Sequence, residues 1–250
     1  MIITKKSQLL LACGISIFII IFVAIVRVRR GESPRIITVP IVETFEDSPK
    51  VCNNTFVIEL PSLLTTEQCD ALRSASIKKG MNDSTVGEIN SELDKNSRSS
   101  TQAWFNQEEN KVTKFIESKA LELVGRMPDC FGKVTVADNF EEIQVVRYTK
   151  DGKYDPHYDG TECGEGFEAP CLKNQRMATL LIYLNDDFEG GQTRFPNLNR
   201  SIKPKKGSAV FFCVSDPKTG MLFRETLHGG DPVLVGEKWI ATQWIRRNAK

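Results

Sequence analysis

The sequence predicts a mainly β domain with flanking helices, built on a double-stranded β-helix (jelly-roll, cupin-like) core and preceded by an N-terminal transmembrane helix. Three observations carry this. The strand-like runs Glu142–Tyr148, Met177–Asn185 and Lys238–Ile245 dominate the C-terminal half. The chain's two histidines, His157 and His228, fall on or beside such runs, as a small site in the mouth of a barrel requires. Ser7 to Val26 is an uncharged stretch of 20 residues rich in Ile, Leu, Phe and Val, enough to cross a bilayer as a helix.

Taken in order, residues 1–30 are a short tail and this anchor. A cleaved signal peptide is the alternative. The stretch is long for that purpose, and Arg27-Val28-Arg29-Arg30 is a poor cleavage site, so an uncleaved anchor is favoured. Residues 31–51, with three prolines and mixed charge, read as a stem, and 52–250 as the domain. Thr65-Thr66-Glu67-Gln68 has capping-box spacing and Gly80 is a stop, which predicts a helix over 66–79. Residues 82–100 are polar and without period: a surface loop, or a lid. Arg98 to Trp104 reads as a solvated loop before a helix. Gln107 to Val124 is a second helix, with Val112, Phe115, Ile116, Ala120, Leu121 and Leu123 as its apolar stripe. Strands dominate from Phe140 onward.

Within that half, Tyr154-Asp155-Pro156-His157-Tyr158-Asp159-Gly160 places His157 and Asp159 two apart. On a strand both side chains would share a face. His228 lies in Thr226-Leu227-His228-Gly229-Gly230, ten residues before Lys238. Two imidazoles and a carboxylate make the facial triad of non-haem Fe(II) sites, which leaves positions open for co-substrate and O2. An isolated H-x-D also arises by chance; strands on either side and a second His raise its weight. Residues 160–175 form another Gly-rich loop or lid. Its Cys163 and Cys171 are spaced for a disulfide, or stand as free thiols.

Ordered motifs from about Pro61 to Arg246 resemble the catalytic domain of prolyl 4-hydroxylases. These are Gln144–Tyr148, Tyr154–Asp159, Thr179–Asn185, Glu189–Pro196, Pro204–Ala209, Leu227–Val233 and Gly236–Trp239. The resemblance implies a 2-oxoglutarate- and Fe(II)-dependent dioxygenase acting on prolyl residues, with ascorbate as reductant. It implies His157, Asp159 and His228 as iron ligands and Lys238 as the cation for the far carboxylate of 2-oxoglutarate. It also puts Tyr148 and Thr179 near that carboxylate, Trp244 on the site wall, and the Arg98–Trp104 segment near a groove for proline-rich or collagen-like peptide. Arg147 falls within the matching run Gln144–Tyr148. Gly160 stands where many relatives carry an aromatic or Ala, so a more open wall is expected there.

The rivals are the same chemistry on lysyl residues or a small molecule, and a non-catalytic cupin-like module. Lys238 speaks against the last, which has no need of a cation for a dicarboxylate. Beyond residue 30 the chain has 28 basic against 32 acidic residues, which argues against nucleic acid as a partner. The cluster Arg200, Lys203, Lys205, Lys206 reads as a solvated hairpin end. Cys52, Cys69, Cys130, Cys163, Cys171 and Cys213 lie outside the anchor, and Asn53, Asn82 and Asn199 begin glycosylation sequons. With the family's habit of working in the secretory pathway, this gives a lumenal catalytic domain in the endoplasmic reticulum or Golgi.

Overall fold

A computed structural model describes residues 57–85, 96–106, 108–127, 131, 134–160, 175–216 and 219–247. The expected anchor, the stem and the Cys163/Cys171 pair lie outside these residues. No helix among the described residues is long and apolar enough to cross a membrane.

The elements in chain order are β1 (Val57–Leu60), α1 (Thr66–Lys79), β2 (Asn82–Asp83), β3 (Thr101–Phe105) and α2 (Lys111–Gly125). A single helical turn, α3 (Val136–Asn139), precedes β4 (Ile143–Tyr148), β5 (Tyr154–His157), β6 (Arg176–Tyr183), β7 (Glu189–Gly190), β8 (Thr193–Phe195) and β9 (Arg200–Ile202). The chain closes with β10 (Ala209–Cys213), β11 (His228–Gly230), β12 (Val233–Val235) and β13 (Lys238–Arg246).

Seven strands form the major sheet in the order β1-β10-β6-β13-β4-β3-β2, and four form the minor sheet in the order β5-β11-β8-β9. A two-stranded ribbon pairs β12 with β7. The pleat sorts every major-sheet residue to one of two faces. Gln144, Val146 and Tyr148 of β4, Leu181 and Tyr183 of β6, and Ile240 of β13 face inward. There Val146, Tyr148, Leu181, Tyr183 and Ile240 meet Phe195 and Ile202 of the minor sheet and Val233 of the ribbon in one buried cluster. The alternate residues, among them Ile143, Val145, Leu180, Ile182 and Ile245, are buried as well. On the helical side α1 contacts β3 and α2 contacts β13. The central strands are therefore covered on both faces, which is why they read as unbroken apolar runs.

The first helix starts and stops where its caps dictate. Thr65 Oγ1 accepts from the Gln68 amide at 3.2 Å, and Gln68 Oε1 accepts from the Thr65 amide at 2.9 Å. Gly80 ends it with φ 93°. The second helix begins later than Gln107, because Asn110 caps it by accepting from the amides of Val112 and Thr113 at 2.9 and 3.0 Å. The segment read as a solvated loop before this helix is instead strand β3, paired with β4 from Thr101↔Arg147 to Phe105↔Ile143. Strands thus begin well before Phe140. The basic hairpin is tied down too: Arg200 bonds Glu59 of β1 at 2.5 Å and Lys206 bonds Asp70 of α1 at 2.7 Å. Cys69 and Cys213 are buried free thiols, pushed by burial up to about 11 and about 12.

One buried charge is poorly compensated. Glu117 on the inner side of α2 is 5% exposed, and its Oε1 has no hydrogen-bond partner among the described residues. Burial first, and Glu108 second, push its carboxyl up to about 7 against a small opposing effect of Lys114. A raised acid holds its proton better in the folded chain than in the unfolded one. Its contribution is therefore present in acid and is lost as pH rises through about 7. Glu117→Gln should gain stability relative to wild type on going from about pH 5 to about pH 8, as read by urea midpoints. An equal offset at both pH values would show that Glu117 does not titrate in this range.

Candidate active site

The site lies between the two sheets, in a cavity of about 470 Å³. His228 on β11 pairs directly with His157 on β5, so the ladder itself sets the two imidazoles opposite one another. Their ring centroids are 4.4 Å apart. Asp159 completes the group. Its Oδ1 is 3.5 Å from His157 Nε2 and its Oδ2 is 3.7 Å from His228 Nε2. One ligand atom from each of the three residues lies within 4.8 Å of the others. His157 is the last residue of β5, and Asp159 sits in the bend beyond it. The expected i, i+2 pair thus straddles the strand end rather than lying on the strand.

The chemistry of this donor set fits a metal. His157 Nδ1 is 2.8 Å from the Asp155 carbonyl and His228 Nδ1 is 2.9 Å from the Thr226 carbonyl. A carbonyl only accepts, so both Nδ1 atoms carry the proton and both Nε2 lone pairs face the shared centre. Burial pushes His228 down to about 4, only partly offset by Asp159, so its ring is neutral at neutral pH. Burial pushes the Asp159 carboxyl up. His228, His157 and Arg176 outweigh it and hold that carboxyl well below the usual range. The neutral His228 imidazole, His157 with its Nε2 turned to the same centre, and the Asp159 carboxylate are therefore set to coordinate a divalent cation.

Lys238 occupies another part of the same cavity. It is 3% exposed, opposes Tyr148 across the β13/β4 ladder, and holds Nζ 5.5 Å from the Tyr148 ring and 6.0 Å from the Tyr183 ring. Burial pushes it down to about 8, with Asp231 opposing. Asp231 is itself ion-paired to Arg194 at 2.9 Å. Burial raises the Tyr148 phenol, which stays protonated.

Several expectations change. Thr179 is not beside Lys238. It pairs with Trp244, six residues along β13, roughly 20 Å away at strand rise, and donates to Asp159 Oδ2 at 2.6 Å. Thr193 lines the cavity with Lys238, and its Oγ1 accepts from the Tyr183 hydroxyl at 2.8 Å. The run Glu189–Pro196 contains it, but a β8 of three residues has too little period to show its facing. Thr242, also lining, was legible: it alternates with Ile240 and Trp244 on one strand face. Gly160 does not open the wall. A Cβ there would come within 2.4 Å of Leu222 Cδ2 and 2.9 Å of Gln175 Oε1, because neighbouring side chains already fill the space. Arg147 points away from the cavity, bonding Glu237 and lying 5.7 Å from the Trp239 ring centroid.

Trp244 and Arg98 do line the cavity. Trp244 packs on Trp104 at 5.9 Å, with the Arg176 guanidinium 3.8 Å from its ring centroid. Arg98 is buried rather than solvated. It lies 4.6 Å over Tyr154, whose ring stacks on His157 at 3.6 Å, and it donates to Gln144 Oε1 at 3.2 Å.

The His157–Asp159–His228 group, able to hold a metal ion, lies between the two sheets, and the 2OG-Fe(II) oxygenase superfamily model matches residues 143–246. Prolyl 4-hydroxylase 13 of Arabidopsis thaliana is 34% identical over 212 residues, covering 77% of this chain and 72% of that one. A relative from Acanthamoeba polyphaga mimivirus is 37% identical over 164 residues, covering 64% of this chain; the chain spans 62% of that relative's length. The crystal structure of a viral collagen prolyl hydroxylase from Paramecium bursaria Chlorella virus-1, a 2-oxoglutarate complex, superposes with a TM-score of 0.67 at 41% identity. It covers 78% of this chain and 98% of that one. The chain belongs to the prolyl 4-hydroxylase family of 2-oxoglutarate- and Fe(II)-dependent oxygenases.

His157→Ala, Asp159→Ala and His228→Ala should each remove the one-equivalent Mn(II) or Fe(II) site while leaving the far-UV spectrum unchanged. Equilibrium dialysis checks this. A His228→Ala protein that still bound one equivalent with unaltered affinity would contradict the assignment.

Proposed function

We propose that this chain hydroxylates prolyl residues in peptides to 4-hydroxyproline, consuming 2-oxoglutarate and O2 and releasing succinate and CO2. The observation that carries the reading is a single cavity that presents both a preorganised His157/Asp159/His228 group and a buried lysine, Lys238. Fe(II), when bound there, supplies the oxidising chemistry by activating O2 with electrons drawn from decarboxylation of the keto acid.

The protein's own residues do the rest. Hydrogen bonds from both Nδ1 atoms to main-chain carbonyls keep the imidazoles aimed. Lys238 receives the far carboxylate of 2-oxoglutarate, since a buried ammonium of this kind is stabilised by an anion. Tyr148 and Thr193 line the same region and offer hydroxyls to that carboxylate. Trp104, Tyr154 and Trp244 form aromatic walls suited to proline-rich segments, which are already extended and lose little entropy on docking. A prolyl or collagen-like substrate comes to this chain from the names its relatives carry.

Residues 7–26 act as an uncleaved single-pass anchor, 31–51 as a stem, and the domain from residue 52 works in the lumen of the endoplasmic reticulum or Golgi. The uncharged length of the segment supports the anchor. Asn82 and Asn199, which begin two sequons, are exposed as glycan acceptors must be.

A panel of proline-rich, collagen-like and lysyl peptides, with free proline and small acids as controls, tests the substrate. Under Fe(II), 2-oxoglutarate and ascorbate, mass spectrometry should find one added oxygen on proline in a peptide. Consumption of 2-oxoglutarate with only a lysyl peptide or a free small molecule oxidised would sink the prolyl assignment and leave the oxygenase one standing.

A further inference from the structure

Asp159 lies beyond the last residue of β5, so no ladder pairing holds its main chain. A carboxylate turns easily about its final torsion. Yet its two oxygens have different surroundings. Oδ2 accepts a 2.6 Å hydrogen bond from Thr179 Oγ1 and lies 3.7 Å from His228 Nε2, whereas Oδ1 lies 3.5 Å from His157 Nε2. The hydroxyl must be the donor, because an ionised carboxylate only accepts.

Thr179 is well built to hold this bond. It is 0% exposed and sits in the middle of the major sheet, paired with Phe212 on β10 and Trp244 on β13. It is β-branched, so its χ1 is restricted. The main chain of Asp159 is pinned as well: Arg176 Nη1 donates to its carbonyl at 3.0 Å, and Glu141 grips Arg176 through bonds of 2.6 and 2.8 Å.

We propose that Thr179 is a positioning residue for the metal: its hydroxyl occupies one oxygen of Asp159 and fixes the carboxylate plane, leaving the other oxygen free to coordinate. This rests on the metal reading above. A purely structural threonine, bonding Asp159 only to satisfy its own buried hydroxyl, would influence stability and not metal affinity.

The test is calorimetric titration of Mn(II) into metal-free protein, with thermal unfolding of the same samples. Thr179→Val keeps the shape and removes the donor. It should weaken Mn(II) binding by about 10–100-fold, the usual effect of losing a partner behind a ligand. Thr179→Ser should stay within about threefold of wild type by the same reasoning. At saturating metal, 2-oxoglutarate affinity should be unchanged in both, which separates this role from a co-substrate contact. If Thr179→Val does not fold, Thr179→Ala replaces it, and affinity must again follow the hydroxyl. Wild-type affinity in the Val or Ala protein overturns the proposal and leaves the proposed function intact. Absence of any Mn(II) site in the wild type overturns the metal reading itself.

Discussion

The antiparallel pairing of β5 with β11 is the constraint on which the site depends, because it sets His157 opposite His228. Neither strand could hold this geometry alone, since each has only three or four residues. Their order comes from β8 and β9 on one side and from packing against the major sheet on the other. Phe195 and Phe212 press on the His228 ring, with centroids 5.6 and 4.7 Å away. These hydrophobic contacts leave the imidazole little freedom beyond the tautomer its Nδ1 bond selects. Apolar packing and one main-chain carbonyl thus convert an ordinary side chain into a directed lone pair.

The major sheet supplies the complementary half. Strand β13 lies between β4 and β6, so its inward residues Lys238, Ile240, Thr242 and Trp244 run as a stripe through the cavity. Polar chemistry sits at both ends of that stripe. Asp159 reaches the Trp244 end through Thr179, while the lysine lies opposite Tyr148. Lys238 Nζ is 3.6 Å from the Cβ position of Gly230, two residues past His228, so the lysine and the His228 imidazole face the same part of the cavity. Burial depresses both Lys238 and His228, so each group is less comfortable alone than with its intended partner.

Much of this was legible in the sequence, for reasons that can be named. Long central strands show themselves because both faces are apolar, and α1 shows itself because Thr65 and Gln68 cap each other reciprocally. The two histidines stand out because the chain has no others. Failures cluster where local signals are short or ambiguous. β3 has five residues and a polar Gln102; a loop is all its local pattern shows, because its partner β4 lies far along the chain. The family resemblance alone implies Thr179 beside the co-substrate. Its register against Trp244, invisible without the sheet, puts it behind Asp159 instead. Gly160 suggested empty space because a glycine has no side chain, but Leu222, Val214 and Gln175 arrive there from distant segments. In each case the missing information was a long-range pairing.

The central claim is that one cavity holds a metal at His157, Asp159 and His228 together with a 2-oxoglutarate carboxylate at Lys238. The most direct measurement is an anaerobic titration of 2-oxoglutarate into Fe(II)-loaded protein, followed by the visible absorption that keto-acid chelation to Fe(II) produces. Wild type should saturate tightly below pH 8 and bind more weakly as the pH rises through about 8, where the buried ammonium loses its proton. Lys238→Ala should weaken saturation by the order of 3–5 kcal/mol, the effect of leaving one buried charge unpaired. An absorption band that saturates identically in wild type and Lys238→Ala at every pH would contradict the account, because the carboxylate would then be bound elsewhere.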